Sequence, residues 1–131
     1  MKVLIAEDDM ASRKFLYKYL SAYGDCDVTV DGVEAIDAFL LAWDEGSPYD
    51  LICLDIMMPK VDGIKALKMI RDLEHNKGVE NSQRAKIIMT TALNDTKTVK
   101  SSFQDDCQAY AAKPIDTEKL LEVIKKLGLM Q

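Results

Sequence analysis

Cysteine, histidine, proline and tryptophan are scarce in this chain, and it has no long apolar run. Among 131 residues there are three Cys, three Pro, one Trp and a single His. Cys26, Cys53 and Cys107 are odd in number, far apart and form no C-x-x-C pair, and His75 stands alone. The paired ligands of a structural zinc site are therefore missing. Three unpaired thiols suit a reducing compartment, and each is expected as a small buried or half-buried group. No stretch approaches the ~20 apolar residues of a membrane span. Val3 to Ala6 is too short for a signal-peptide core, and acids begin at Glu7. A cytoplasmic protein is expected. An excess of positive charge is also absent: the net charge is −5. Direct nucleic-acid binding, which needs clustered Lys and Arg, is not expected.

What is present is an ordinary globular composition, 48% hydrophobic and 30% charged, without repeats or low-complexity tracts. The length suits one domain over residues 1–131, able to bury about two-thirds of its unfolded surface. Short apolar runs alternate with helical periodicity. Val3 to Ala6, Cys26 to Val30, Leu51 to Leu54, Ile87 to Met89 and Ala109 to Ala112 read as strands. Met10 to Tyr23 reads as a helix stopped by Gly24. A second helix starts at an Asp31 cap with Glu34 three residues on, and ends at Gly46-Ser47-Pro48. Ile64, Leu67, Ile70 and Leu73 mark a third, and His75 to Arg84 reads as an exposed loop. A weaker fourth helix is expected from Asn94 or Asp95 to Gln104, with Val99 and Phe103 inward. A last one runs from an Asp116 cap to Gly128. Five strands in alternation with five helices imply an α/β fold with helices on both faces of a parallel sheet.

Polar residues gather at the carboxyl ends of these strands. Strand one runs into Glu7-Asp8-Asp9, strand three into Asp55, strand four into Thr90-Thr91, and strand five into Lys113. Open parallel sheets bind ligands at that end. Clustered carboxylates repel one another unless a cation compensates them. Oxygen ligands without His or Cys favour a hard divalent ion, most plausibly Mg²⁺. Asp55 leaves an apolar strand for this polar site, where a carboxylate can act as a nucleophile toward phosphorus. Lys113 and Thr91 can hold phosphoryl oxygens by charge and hydrogen bond.

The ordered set Glu7-Asp8, Asp55 in Leu54-Asp55-Ile56-Met57-Met58-Pro59, Asp62-Gly63, Thr91-Ala92 and Lys113-Pro114 resembles the receiver domain of two-component response regulators. The resemblance spans residues 2–128. It implies a flavodoxin-like, doubly wound (βα)5 three-layer sandwich with strand order 2-1-3-4-5. It also implies a phosphorylation-activated signalling switch that accepts a phosphoryl group on Asp55 from a sensor histidine kinase or phosphotransfer protein. Asp8, Asp55 and the backbone carbonyl of Met57 would bind Mg²⁺, with Glu7 joining through water. Arg13, five residues after Asp8, matches the family's common basic position and so favours Glu7-Asp8 over Asp8-Asp9 as the acidic pair, leaving Asp9 as a helix cap or a secondary acid. Lys113 would contact the phosphoryl group, and Thr91 and Tyr110 would form a switch pair.

Three departures stand out. Asp106-Cys107 replaces the family's usual Gly-Ala, and Val61 replaces a usual Met. Met57 and Leu93, which would flank the route of the hydrolytic water, are apolar and predict slow self-dephosphorylation. The chain is expected to catalyse its own modification and not to turn over metabolites. A stand-alone receiver is favoured over a fragment of a longer regulator. An unidentified output protein is expected, and phosphorylation-dependent homodimerisation through the last helices is compatible with the pattern. A Mg²⁺-dependent phosphatase of the haloacid-dehalogenase type ranks lower, because Met57 stands where a second Asp would serve as acid. A flavodoxin-type binding module ranks lower still, because Glu7-Asp8-Asp9 would repel a phosphate.

Overall fold

Five short runs, four of them ending at the polar positions just described, pair side by side into one parallel sheet. The structure is a computed structural model that describes residues 1–92 and 107–130. Its elements are β1 (Lys2–Ala6), α1 (Met10–Leu20), β2 (Asp25–Thr29), α2 (Gly32–Asp44), β3 (Leu51–Asp55), α3 (Gly63–Asn76), β4 (Lys86–Ala92), β5 (Ala109–Lys113) and α4 (Thr117–Lys126). The strand order is β2-β1-β3-β4-β5, parallel throughout. This is the doubly wound, flavodoxin-like order expected from the sequence, with α4 as the last of its helices. The expected fourth helix, with Val99 and Phe103, lies outside the described residues, as do Leu93 and Asp106.

Alternation along the strands divides the core into two layers. Leu4, Ile52, Leu54, Ile87 and Met89 pack with Phe39 of α2 and Leu67 and Ile70 of α3. Val3, Ile5, Leu51, Cys53 and Ile88 pack with Leu16 and Leu20 of α1 and Leu120 and Ile124 of α4. Each such side chain contributes about 1.5–3 kcal/mol when fully buried. β3 lies at the centre, and all five of its residues are buried, Asp55 included. Cys53 and Cys107 are buried and Cys26 is half-buried, and none of the three is in a disulfide. No helix among the described residues is long and apolar enough to cross a membrane.

All four described α-helices start on an aspartate. Asp9, Asp31, Asp62 and Asp116 each accept a backbone N–H of the first turn, a cap that contributes about 1 kcal/mol. These caps all follow strands, so they ring the carboxyl end of the sheet.

Most element ends shift slightly from the sequence reading, β4 running on from the expected Met89 to Ala92, and two differ in kind. α1 closes at Ser21, whose N–H donates to Tyr17 O, three residues before Gly24. Gly24 serves close approach instead, since a Cβ there would overlap the Met1 carbonyl that accepts from Asp25 N. The segment read as a loop from His75 to Arg84 begins inside α3, which continues to Asn76, and contains a 3-10 turn at Asn81–Gln83.

Gly63 matters most for the site. A Cβ on it would overlap the Asp55 carbonyl oxygen, and its N–H donates to Ile56 O at 2.9 Å. The start of α3 thus packs directly on the backbone that presents Asp55. Gly63→Ala is expected to cost about 1–3 kcal/mol through overpacking, read as a lower urea midpoint at unchanged slope.

Candidate functional site

The sheet register brings together groups that are far apart in the chain. Ala6 pairs with Leu54, so Glu7 and Asp55, the next residues, lie side by side at the ends of β1 and β3. Asp55 pairs in turn with Thr90 of β4. Lys113 ends β5 at the sheet edge, yet its Nζ lies 2.7 Å from Glu7 Oε1 and 3.3 Å from Asp55 Oδ1. Its side chain therefore crosses the ends of two strands to reach the first.

Glu7 and Asp55 are 0% and 2% exposed, while Asp8 is open to solvent. Burial raises the Glu7 carboxyl from an ordinary 4.5 to about 7; the lysine opposes this rise and the Asp55 carboxylate adds to it. Burial also raises Asp55, against the pull of Glu7, Lys113 and the Met57 N–H. Lys113 is lowered by burial, but its two carboxylate partners outweigh this and hold it above the usual lysine value. The ammonium is thus held in its charged form between the two carboxylates.

The set suits a hard divalent cation. Glu7, Asp8 and Asp55 each offer one carboxylate oxygen, all within 4.8 Å of one another. Glu7 Oε2 is buried and has no hydrogen-bond partner among the described residues. An acidic, all-oxygen group with a spare buried lone pair matches the donor preference of Mg²⁺. Asp9 is otherwise engaged, accepting from Ser12 N at 2.9 Å as the cap of α1. Arg13 braces the acidic turn: its guanidinium donates to the carbonyls of Glu7 at 2.9 Å and Asp8 at 3.2 Å.

The remaining expected residues lie just past the end of β3, at the end of β4 and within β5. Met57 is 68% exposed, and its N–H donates to Asp55 Oδ1 at a long 3.4 Å. Thr91 is buried at the end of β4, and among the described residues its hydroxyl makes only a 3.4 Å contact with Ala92 O. Tyr110 is half-buried in β5 against the α2–α3 layer, opposite Met89 and one alternation below Thr91.

Two features escaped the sequence reading. Thr90 was visible only as a strand-end polar residue, yet it is 2% exposed and pairs with Asp55. At the opposite end of the sheet, the fully buried Glu74 of α3 accepts from Arg71 at 2.7 Å and from Ala85 N at 2.8 Å. Arg71 also donates to Gln108 Oε1 at 3.0 Å, an oxygen that takes Ile87 N at 2.7 Å. A charged residue inside an otherwise apolar helical face was the one signal for Glu74.

Because Glu7 binds its proton more tightly in the folded chain, its contribution to stability is complete below about pH 4.5 and is lost as pH rises through about 7. Without metal, the urea midpoint should fall between about pH 5 and about pH 8. The fall should be smaller in Glu7→Gln, where this titration is gone. Mg²⁺ should raise the midpoint more at the higher pH, because it binds the deprotonated carboxylates.

Comparison with known proteins agrees with this geometry. The response regulator receiver domain family matches residues 3–125. The chemotaxis protein CheY of Treponema pallidum is 34% identical over 125 residues, covering 94% of this chain and 79% of that protein. The osmosensing histidine protein kinase SLN1 of Saccharomyces cerevisiae is 29% identical over 95% of this chain, which spans only 10% of that protein. Among solved structures, a chain from the complex of the S. cerevisiae phosphotransfer protein Ypd1 with the Ssk1 receiver domain superposes with a TM-score of 0.82 at 29% identity, covering 100% of this chain and 90% of that one. The CheX–CheY–BeF3–Mg²⁺ complex of Borrelia burgdorferi gives a TM-score of 0.76 at 26% identity, covering 99% and 90%. With the family matched across nearly the whole chain and its acidic pocket and lysine assembled at the expected strand ends, this chain belongs to the response regulator receiver domains of two-component signalling.

Proposed function

We propose that residues 1–131 work as one receiver domain in which Asp55 accepts the phosphoryl group. The observation that carries this reading is a nearly buried Asp55 at the end of the central strand, with Lys113 Nζ at 3.3 Å and two further carboxylates beside it. Asp8, Asp55 and the Met57 carbonyl would hold Mg²⁺, with Glu7 acting through water. A bound Mg²⁺ would supply the positive charge that lets an anionic donor approach an anionic pocket.

In the transfer, an Asp55 oxygen attacks phosphorus. The P–N bond of a phosphohistidine on a sensor kinase or phosphotransfer protein breaks, and its electron pair stays on the imidazole nitrogen. Lys113 stands where charge develops on the phosphoryl oxygens. The Ypd1–Ssk1 complex, whose chain this one resembles, supports a phosphotransfer protein as donor. The product is a signal and not a metabolite.

Thr91 and Tyr110 carry the response. Among the described residues the Thr91 hydroxyl holds only a 3.4 Å contact, at the weak end of hydrogen bonding, and exchanges it at little cost for a phosphoryl oxygen. That movement frees space on the face where Tyr110 packs. Inward rotation of Tyr110 then alters the surface of β5 and α4, where an output protein or a second copy binds. Three cysteines outside any disulfide support a reducing, cytoplasmic setting.

Intact mass after incubation with a small acyl phosphate is expected to show one added phosphoryl group that requires both Mg²⁺ and Asp55. Its persistence in Asp55→Ala would sink the assignment. Met57→Asn, which offers a hydrogen bond to the hydrolytic water, should shorten the lifetime of the phosphorylated form severalfold. An unchanged lifetime would remove Met57 from that role.

A further inference from the structure

Thr90 has no task in the reading above, yet its environment is unusual. It is 2% exposed, and among the described residues its Oγ1 has no hydrogen-bond partner. Ile88 belongs to the layer covered by α1 and α4 and Met89 to the opposite layer, so alternation turns Thr90 toward α1 and α4. Cys53 sets the same phase in β3 and turns Asp55 to that face. Glu7, Asp55 and Thr90 therefore form one row across three neighbouring strands, about 4.8 Å apart. The Lys113 side chain runs above this row to reach Glu7.

A buried hydroxyl without a partner is destabilising, and valine has the same shape without that cost. The spare donor also lies beside an acceptor that is loosely held. Lys113 Nζ at 3.3 Å and Met57 N at 3.4 Å both contact Asp55 Oδ1 at long range, whereas Lys113 sits 2.7 Å from Glu7. These contacts alone leave the carboxylate poorly oriented for reaction.

We infer that Thr90 is a positioning residue for the phosphoacceptor: its hydroxyl, unpaired in the resting pocket, turns to donate to the Asp55 carboxylate as the donor arrives and holds the rotamer that presents an oxygen to the incoming phosphorus. The inference rests on the reading of Asp55 as phosphoacceptor. It makes Thr90 distinct from Thr91, which faces the other layer and responds after transfer.

The test compares the native chain with Thr90→Val and Thr90→Ser. Phosphorylation by a small acyl phosphate in Mg²⁺ is followed by intact mass, and thermal unfolding is recorded without donor. Thr90→Val should melt no lower than the native chain, because an unpaired polar group is gone, yet be phosphorylated about tenfold more slowly. Thr90→Ser keeps the donor and should react within about twofold of the native rate. If Thr90→Val does not fold, Thr90→Cys, with its weak donor, takes its place against Thr90→Ser. A native rate in Thr90→Val overturns the inference, as does a Thr90→Ser variant as slow as Thr90→Val, which would assign the effect to the methyl group. A native chain that takes no phosphoryl group would overturn the reading of Asp55 itself, and this inference with it.

Discussion

The site depends on one ammonium group placed among buried carboxylates. Glu7 and Asp55 are both shielded from water, and two such charges side by side in a low-dielectric interior are unstable without compensation. Lys113 supplies it, at 2.7 Å from one and 3.3 Å from the other. With Asp8 adjacent, the three carboxylates outnumber the one ammonium, while burial first and the Asp55 carboxylate second raise the Glu7 carboxyl. A pocket in this condition gains from any added cation, and its lysine can turn from one anionic partner to another.

The topology makes this arrangement possible. Residues 7, 55 and 113 are distant in sequence, and only the order β2-β1-β3-β4-β5 sets their strand ends in range of one lysine side chain. The aspartate caps of the four described helices sit at the same end. Gly63 then lets α3 rest on the Asp55 carbonyl, so the core reaches the buried Asp55 through backbone contact.

Local features were legible in the sequence. The strand runs, the caps at Asp31 and Asp116 and the polar strand ends follow from short-range pattern, and the structure keeps them. Asp9 as a cap was legible because Arg13 fixed the register of the three acids, and the guanidinium indeed braces the Glu7 and Asp8 carbonyls. What was illegible depended on tertiary placement. The apolar period of α1 runs on to Tyr23, but the helix ends where Ser21 closes the last turn on Tyr17. Glu74 reads as a surface charge until Ala85 and Arg71 are seen to enclose it. Thr90 could not be told from a surface threonine until the pairing with Asp55 set its face.

The Arg71–Glu74–Gln108 network bears on the site from the far end of the sheet. Gln108 N donates to Ile87 O at 2.9 Å while its side-chain oxygen takes Ile87 N, so β5 is locked to β4 just before their regular pairing begins. Strand side chains alternate, and a slip of one residue would move Lys113 to the opposite face of the sheet and bring Ala112 into its place. β5 is half-buried along its length, and its short alanine side chains give a weak hydrophobic preference for either phase. A buried ionic clamp that recognises one glutamine is a discrete lock where packing alone is permissive. Its consequence is that the Lys113 ammonium is kept in phase by hydrogen bonds at the opposite end of the strand that carries it.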